Sequence, residues 1–174
     1  MQLIRTIAAI VFLSLPGLAF GQDFRLRKQI DSSVLAINKE SKHILSFSKT
    51  EKDAQRGLYD VKYQLKREGG NIQKIVRQYR NSDSSVAQVF YTVNDSLIFA
   101  TESIVYYYGK DSIEWSATYY FSDGKLEDFE TLGHGKSEIS TWNPEDEVFR
   151  NYQCAKSAVR GYLRTQRADN HIDR

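Results

Sequence analysis

A single cysteine in 174 residues closes off several possibilities at once. Cys154 has no partner for an internal disulfide, so packing and hydrogen bonds must hold the fold. It falls in an amphipathic stretch and reads as a buried, inert thiol. Histidine is as scarce, with three in the chain and none at metal-ligand spacing, so no metal centre is expected. Neither charge dominates: 24 Lys and Arg stand against 22 Asp and Glu, and a net +2 makes no electrostatic case for nucleic acid. Gly-rich phosphate loops, HExxH and GxSxG are all missing, so neither a catalytic set nor a cofactor is expected. Linkers, low-complexity tracts and repeats are absent too, which leaves one globular domain large enough to bury a core.

The one sustained apolar run is N-terminal. Arg5 precedes Ile7 to Leu15, then Pro16-Gly17, then Ala19-Phe20-Gly21. This is the layout of a secretory signal over residues 1–21, with small residues at 19 and 21 suited to cleavage before Gln22. The run is too short and too broken for a membrane anchor. No cysteine lies at the cut, so a lipid anchor is not expected there. The expectation is a secreted or periplasmic protein with no stable membrane anchor after cleavage.

What the chain has in quantity is strand-forming residues: aromatics make up 13%, with eleven tyrosines. The stretch Leu97 to Leu126 organises the rest. LIFATESIVYYY, a turn from Gly109 to Ser112, and SIEWSATYYF form a hairpin in which Tyr106 faces Trp115, Ile104 faces Ala117 and Ala100 faces Phe121. Tyr107, Val105, Ser103 and Thr101 then take the other face. A one-residue slip would bury charge, so the pattern fixes the core face. Upstream, Ala87, Val89, Tyr91 and Val93 share a face. With a turn at Asp95-Ser96 they join the same core. Earlier still, 58–67 and 72–80 flank a Gly69-Gly70 turn. Downstream, Asp123-Gly124 predicts another hairpin, and the acids of 125–132 mark an edge strand guarded by charge.

Helices are expected at both ends. From 24 to 49 the stripe is Ile30, Val34, Ile37, Ile44 and Leu45. From 144 to 167, Asn143 caps, Pro144 fills the first turn, and Val148, Phe149, Tyr152, Ala155, Val159, Tyr162 and Leu163 form the apolar side. The fold class is therefore α+β: an antiparallel meander of about six strands over 58–132 with a helix from each chain end packed on it.

Three features bear on chemistry. Glu102 falls on the apolar face, opposite Val89 and Tyr119, where a carboxylate needs a cation or hydrogen bonds. It reads either as a tuned acid or ligand anchor with Tyr119, or as a paired structural carboxylate. His134 between Gly133 and Gly135 reads as a surface turn before it reads as a ligand. Phe90, Phe99, Tyr107 and Tyr120 project from the second face, either beneath a second cover or as a ligand or partner surface. Charge is also uneven, with bases concentrated over 56–80 and acids over 95–138, an arrangement able to steer a partner.

At YYFSDGKLEDFE, residues 119–130, the chain resembles the strand-turn-strand units of small exported proteins of Bacteroidetes type, many of them uncharacterised. The resemblance spans the central half of the chain. It implies export and a β-meander and carries over no functional residue. The functional expectation is an exported, non-catalytic binding or interaction protein acting on an unknown protein or a small apolar ligand. The runner-up is a carrier of an apolar ligand, similar in outline to half-barrel lipoprotein carriers. An enzyme without a recognisable motif ranks third.

Overall fold

The computed structural model describes residues 19–39, 44–53 and 57–172. Most of the expected signal segment lies outside them. Helix α1 (Ala19–Lys39) leads into seven antiparallel strands, and helix α2 (Pro144–Ile172) closes the chain. The strands are β1 (Ile44–Asp53), β2 (Gly57–Glu68), β3 (Asn71–Arg80), β4 (Ser84–Val93), β5 (Ser96–Tyr108), β6 (Asp111–Ser122) and β7 (Lys125–Gly133). They lie in sequence order in one sheet, so β1 and β7 are its edges. The α+β class stands, with a sheet one strand wider than expected. No helix among the described residues is long and apolar enough to cross a membrane.

The extra strand corrects the N-terminal helix. Helical spacing was expected to run from 24 to 49, yet the helix stops at Lys39 and Ile44 begins β1. Ile44 lies seven residues after Ile37 and so continues a helical stripe by coincidence. Leu45 and Phe47, alternating with Ser46 and Ser48, follow the strand period instead. They pair with Leu65 and Tyr63 of β2. Phe47 is held between the Tyr63 and Tyr162 rings, at centroid distances of 4.9 and 4.2 Å. That burial decides between two locally plausible periods.

The helices cover opposite faces. On one face α2 lays Val148, Tyr152, Ala155, Ala158 and Val159 over Tyr63, Leu65, Ile75, Phe90, Trp115, Tyr119 and Phe121. On the other, Ile30 and Ile37 of α1 pack on Tyr91, Phe99 and Tyr120. The three layers are helix, sheet, helix, so the second face has the cover that was the alternative to a ligand surface. Asn143 caps α2 through its Oδ1, which accepts the Asp146 amide at 3.2 Å. Cys154 is exposed rather than buried. It lies about 100° around the helix from Ala155, which turns it away from the apolar stripe.

Two register corrections matter for function. The β5–β6 turn is Gly109-Lys110, so Tyr106 pairs with Ile113 and Ile104 with Trp115, a slip of two from the expected pairing. A slip of two keeps every side chain on its face. Gly109, at φ 65°, supplies the turn geometry. The β4–β5 turn is Asn94-Asp95, both at positive φ, and Ile98 is left unpaired in a bulge beside it. Together these invert β4. Val86, Gln88 and Phe90 face α2, while Ala87, Val89 and Tyr91 face α1.

Candidate functional site

With Gln88 of β4 on the α2 side, a row of polar side chains crosses that face at right angles to the strands. It begins on β1 with Glu51, whose Oε2 accepts Arg77 Nη2 from β3 at 2.8 Å. The same Nη2 donates to the Tyr59 hydroxyl at 3.1 Å, and Nη1 donates to Gln88 Oε1 of β4 at 2.9 Å. Gln88 Nε2 then donates to Glu102 Oε1 of β5 at 2.8 Å. Lys136, in a 3₁₀ turn at Lys136–Glu138, donates its Nζ to that same oxygen at 2.9 Å and to Glu147 of α2. Tyr63 donates to the other oxygen of Glu51.

These groups are out of water, with Arg77 5%, Gln88 2% and Glu102 6% exposed. A planar guanidinium suits the position because its fork serves three acceptors at once. Burial works against the ionised carboxyl of Glu51, but the Tyr63 and Arg77 hydrogen bonds outweigh it and hold that carboxyl below its ordinary range. Burial alone would lower Lys136, but the flanking Glu102 and Glu147 carboxylates raise it. Burial raises the Tyr119 phenol, and the neighbouring Glu102 charge adds to it. In this state Glu102 is a paired carboxylate held by a cation and an amide.

The sequence candidates divide accordingly. Glu102 and Tyr119 do come together, although Glu102 lies opposite Gln88 and Ala117 rather than Val89 and Tyr119. His134 is not with them: it is exposed and bonded to Glu138 at 2.5 Å. The four aromatics assigned to a second-face surface separate. Phe90 is buried under α2, tilted against Tyr152, because of the inverted strand. Phe99 and Tyr120 are on the expected face but roofed by α1. Tyr107 alone stays half-buried, hydrogen-bonded to Ser85 at 2.9 Å and stacked by Arg80 at 4.9 Å. Sequence reading missed Glu51, Arg77, Gln88, Lys136 and Glu147. They come from five separate elements, and only the parity of Gln88 and Glu102 offered a signal.

Tyr59 links this row to open space. Both helices lie toward the sheet end that carries the 69–70 and 94–95 turns; Tyr152, Lys156 and Arg160 of α2 reach Asp95 there. At the opposite end a cleft of about 820 Å³ opens, walled by Leu58, Tyr59 and Tyr106 and rimmed by Asp60 and residues 80–84. The rim is built rather than loose. Asn81 Oδ1 accepts the Ser84 amide at 2.8 Å and its hydroxyl at 2.7 Å, while Asn81 N–H donates to Ser84 O at 3.0 Å. Thr50 Oγ1 donates to Asp60 at 2.8 Å on the facing wall. The cleft therefore combines two phenol rings, two carboxylates, one guanidinium and several hydroxyls and amides on fixed supports.

Compared with known proteins, the chain matches no family model, no curated protein and no solved structure.

Proposed function

We propose that this is an exported, non-catalytic binding protein whose site is the cleft at the helix-free end of the sheet. Its ligand is polar and hydroxyl-bearing, of the saccharide kind. The observation that carries this reading is the preorganised mixture in that cleft. Tyr59 is locked by Arg77 from below, and the 81–84 rim is locked by its own side-chain bonds. Rings offer flat apolar faces, and the surrounding acids, amides and Arg80 supply both donors and acceptors. A volume of about 820 Å³ suits a small ligand. Fixed supports lower the entropy lost on binding.

The reading as a binder rather than an enzyme rests on how the titratable groups of the row are used. Glu51 and Glu102 are each neutralised by a cation and hydrogen-bonded, which suits a scaffold better than proton transfer. The apolar-carrier reading gains nothing from the helix–sheet interfaces, which are filled by Trp115, Tyr63, Phe90 and Phe121 on one side and Phe99 and Tyr120 on the other. The secretory layout of residues 1–21 supports export.

The test is a glycan-array screen followed by affinity measurement on the best hit. Arg80→Ala and Asp83→Ala alter exposed rim side chains outside the buried row. Each is expected to weaken binding by roughly 10-fold, the value of a charge-assisted hydrogen bond. Unchanged affinity in both variants overturns the assignment of this cleft.

A further inference from the structure

The opposite end of the sheet holds a second, chemically different cleft. It measures about 370 Å³ and is lined by Arg67 of β2, Arg160, Arg164 and Arg167 of α2, and residues 70–72 at the start of β3. Asp95 is the one carboxylate among the described side chains that line it. That carboxylate is already committed: Oδ2 accepts Arg160 Nη2 at 2.8 Å and lies 3.0 Å from Lys156 Nζ. Three guanidinium groups thus line the cleft with no acid among the described residues paired to them, in a protein whose net charge is only +2.

Helix polarity does not account for the cluster. Cations are favoured at a helix C-terminus, but the effect fades beyond the last turn. Arg160 and Arg164 lie twelve and eight residues before the end of α2 at Ile172. Arg67 belongs to a strand. It donates to Gly70 O at 3.3 Å, while its Nε is buried with no hydrogen-bond partner. Its guanidinium therefore adds positive charge to the cleft that helix polarity does not explain.

We infer that this cleft binds a phosphate- or sulfate-type oxyanion. Guanidinium forks match tetrahedral oxyanions in geometry. A dianion also balances the excess charge better than a carboxylate does. The phosphate is carried either by a soluble molecule or by a lipid headgroup, and the experiment separates these sources.

Calorimetric titration with sodium pyrophosphate at low ionic strength, with acetate at matched ionic strength as control, reads the soluble source. Flotation with vesicles of phosphatidylcholine, with and without phosphatidylglycerol, reads the lipid source. Arg164→Gln on the exposed helix face and Arg67→Gln on the strand are each expected to weaken the interaction by roughly 10-fold. Arg150→Gln, exposed elsewhere on α2, leaves it unchanged. Pyrophosphate binding lost in the two cleft variants supports a soluble phosphate ligand. Flotation confined to phosphatidylglycerol vesicles and lost in those variants supports a lipid-borne phosphate. Absence of both, acetate binding as strong as pyrophosphate, or equal behaviour of Arg164→Gln and wild type overturns the inference.

Discussion

Lys136 Nζ is shared between Glu102 and Glu147, and so joins the loop after β7 to both the sheet and α2. Replacing it with methionine strands two carboxylates against an apolar face. The Lys136→Met variant is expected to lose about 3 kcal/mol in urea unfolding, the cost of breaking a buried pair from one side. Adding Glu102→Gln to that variant should recover part of the loss, since the stranded charge is then gone. Arg27 is the contrasting case. It bonds Asp128 and Glu130 of edge strand β7, and Glu130 is 61% exposed. Arg27→Ala should cost less than about 1 kcal/mol by the same measurement, because water screens such pairs. At this scale, alternation along β5 was enough to find Glu102. Its partners were hidden because Gln88 sits at a core position, and a polar residue there made the opposite phase of β4 look more apolar.

The elements succeed or fail on what they pack against. Ile30 is 4% exposed and anchors α1 on Phe99 and Tyr120. Ile30→Ala is expected to destabilise by about 3 kcal/mol in urea, several times the effect at Arg27 on the same helix. The loop after β7 depends on Gly135, where an added Cβ would lie 2.8 Å from Cβ and Cγ of Trp115. Gly135→Ala should push the loop off that ring at a cost of about 1–3 kcal/mol. The Trp115 indole also loses its Ser137 contact, so fluorescence should shift to the red. Unchanged emission would mean that the ring yields instead of the loop. The C-terminal helix was legible because cap, first-turn acids and apolar stripe agree. The end of α1 was not, since Ile44 satisfies two periods and only the pairing with β2 separates them. The edge position of β7 was legible from its acids, whereas the bulge at Ile98 leaves no mark in composition.

For the whole molecule, the buried row couples stability to pH at both extremes. The carboxyl of Glu51 titrates below its ordinary 4.5 in the folded chain, so its contribution is complete above that value and is lost as pH falls through the depressed one. Lys136 and the phenols of Tyr63 and Tyr119 are raised, so their contributions are complete below their unfolded values near 10.5 and 10.0 and are lost as pH rises beyond them. The melting temperature should therefore hold a plateau between about pH 5 and pH 9.5 and fall on either side. Lys136→Met should flatten the alkaline fall. The two clefts both draw on β2 and β3 but differ in chemistry, because only the helix-covered end of the sheet adds the arginines of α2.

The most direct check of the proposed binding site is an amide chemical-shift titration of the full chain with the best saccharide from the array. Perturbations confined to residues 58–60, 80–84 and 106 are the predicted result. Perturbations that avoid these residues and gather elsewhere on the sheet or helices would contradict it.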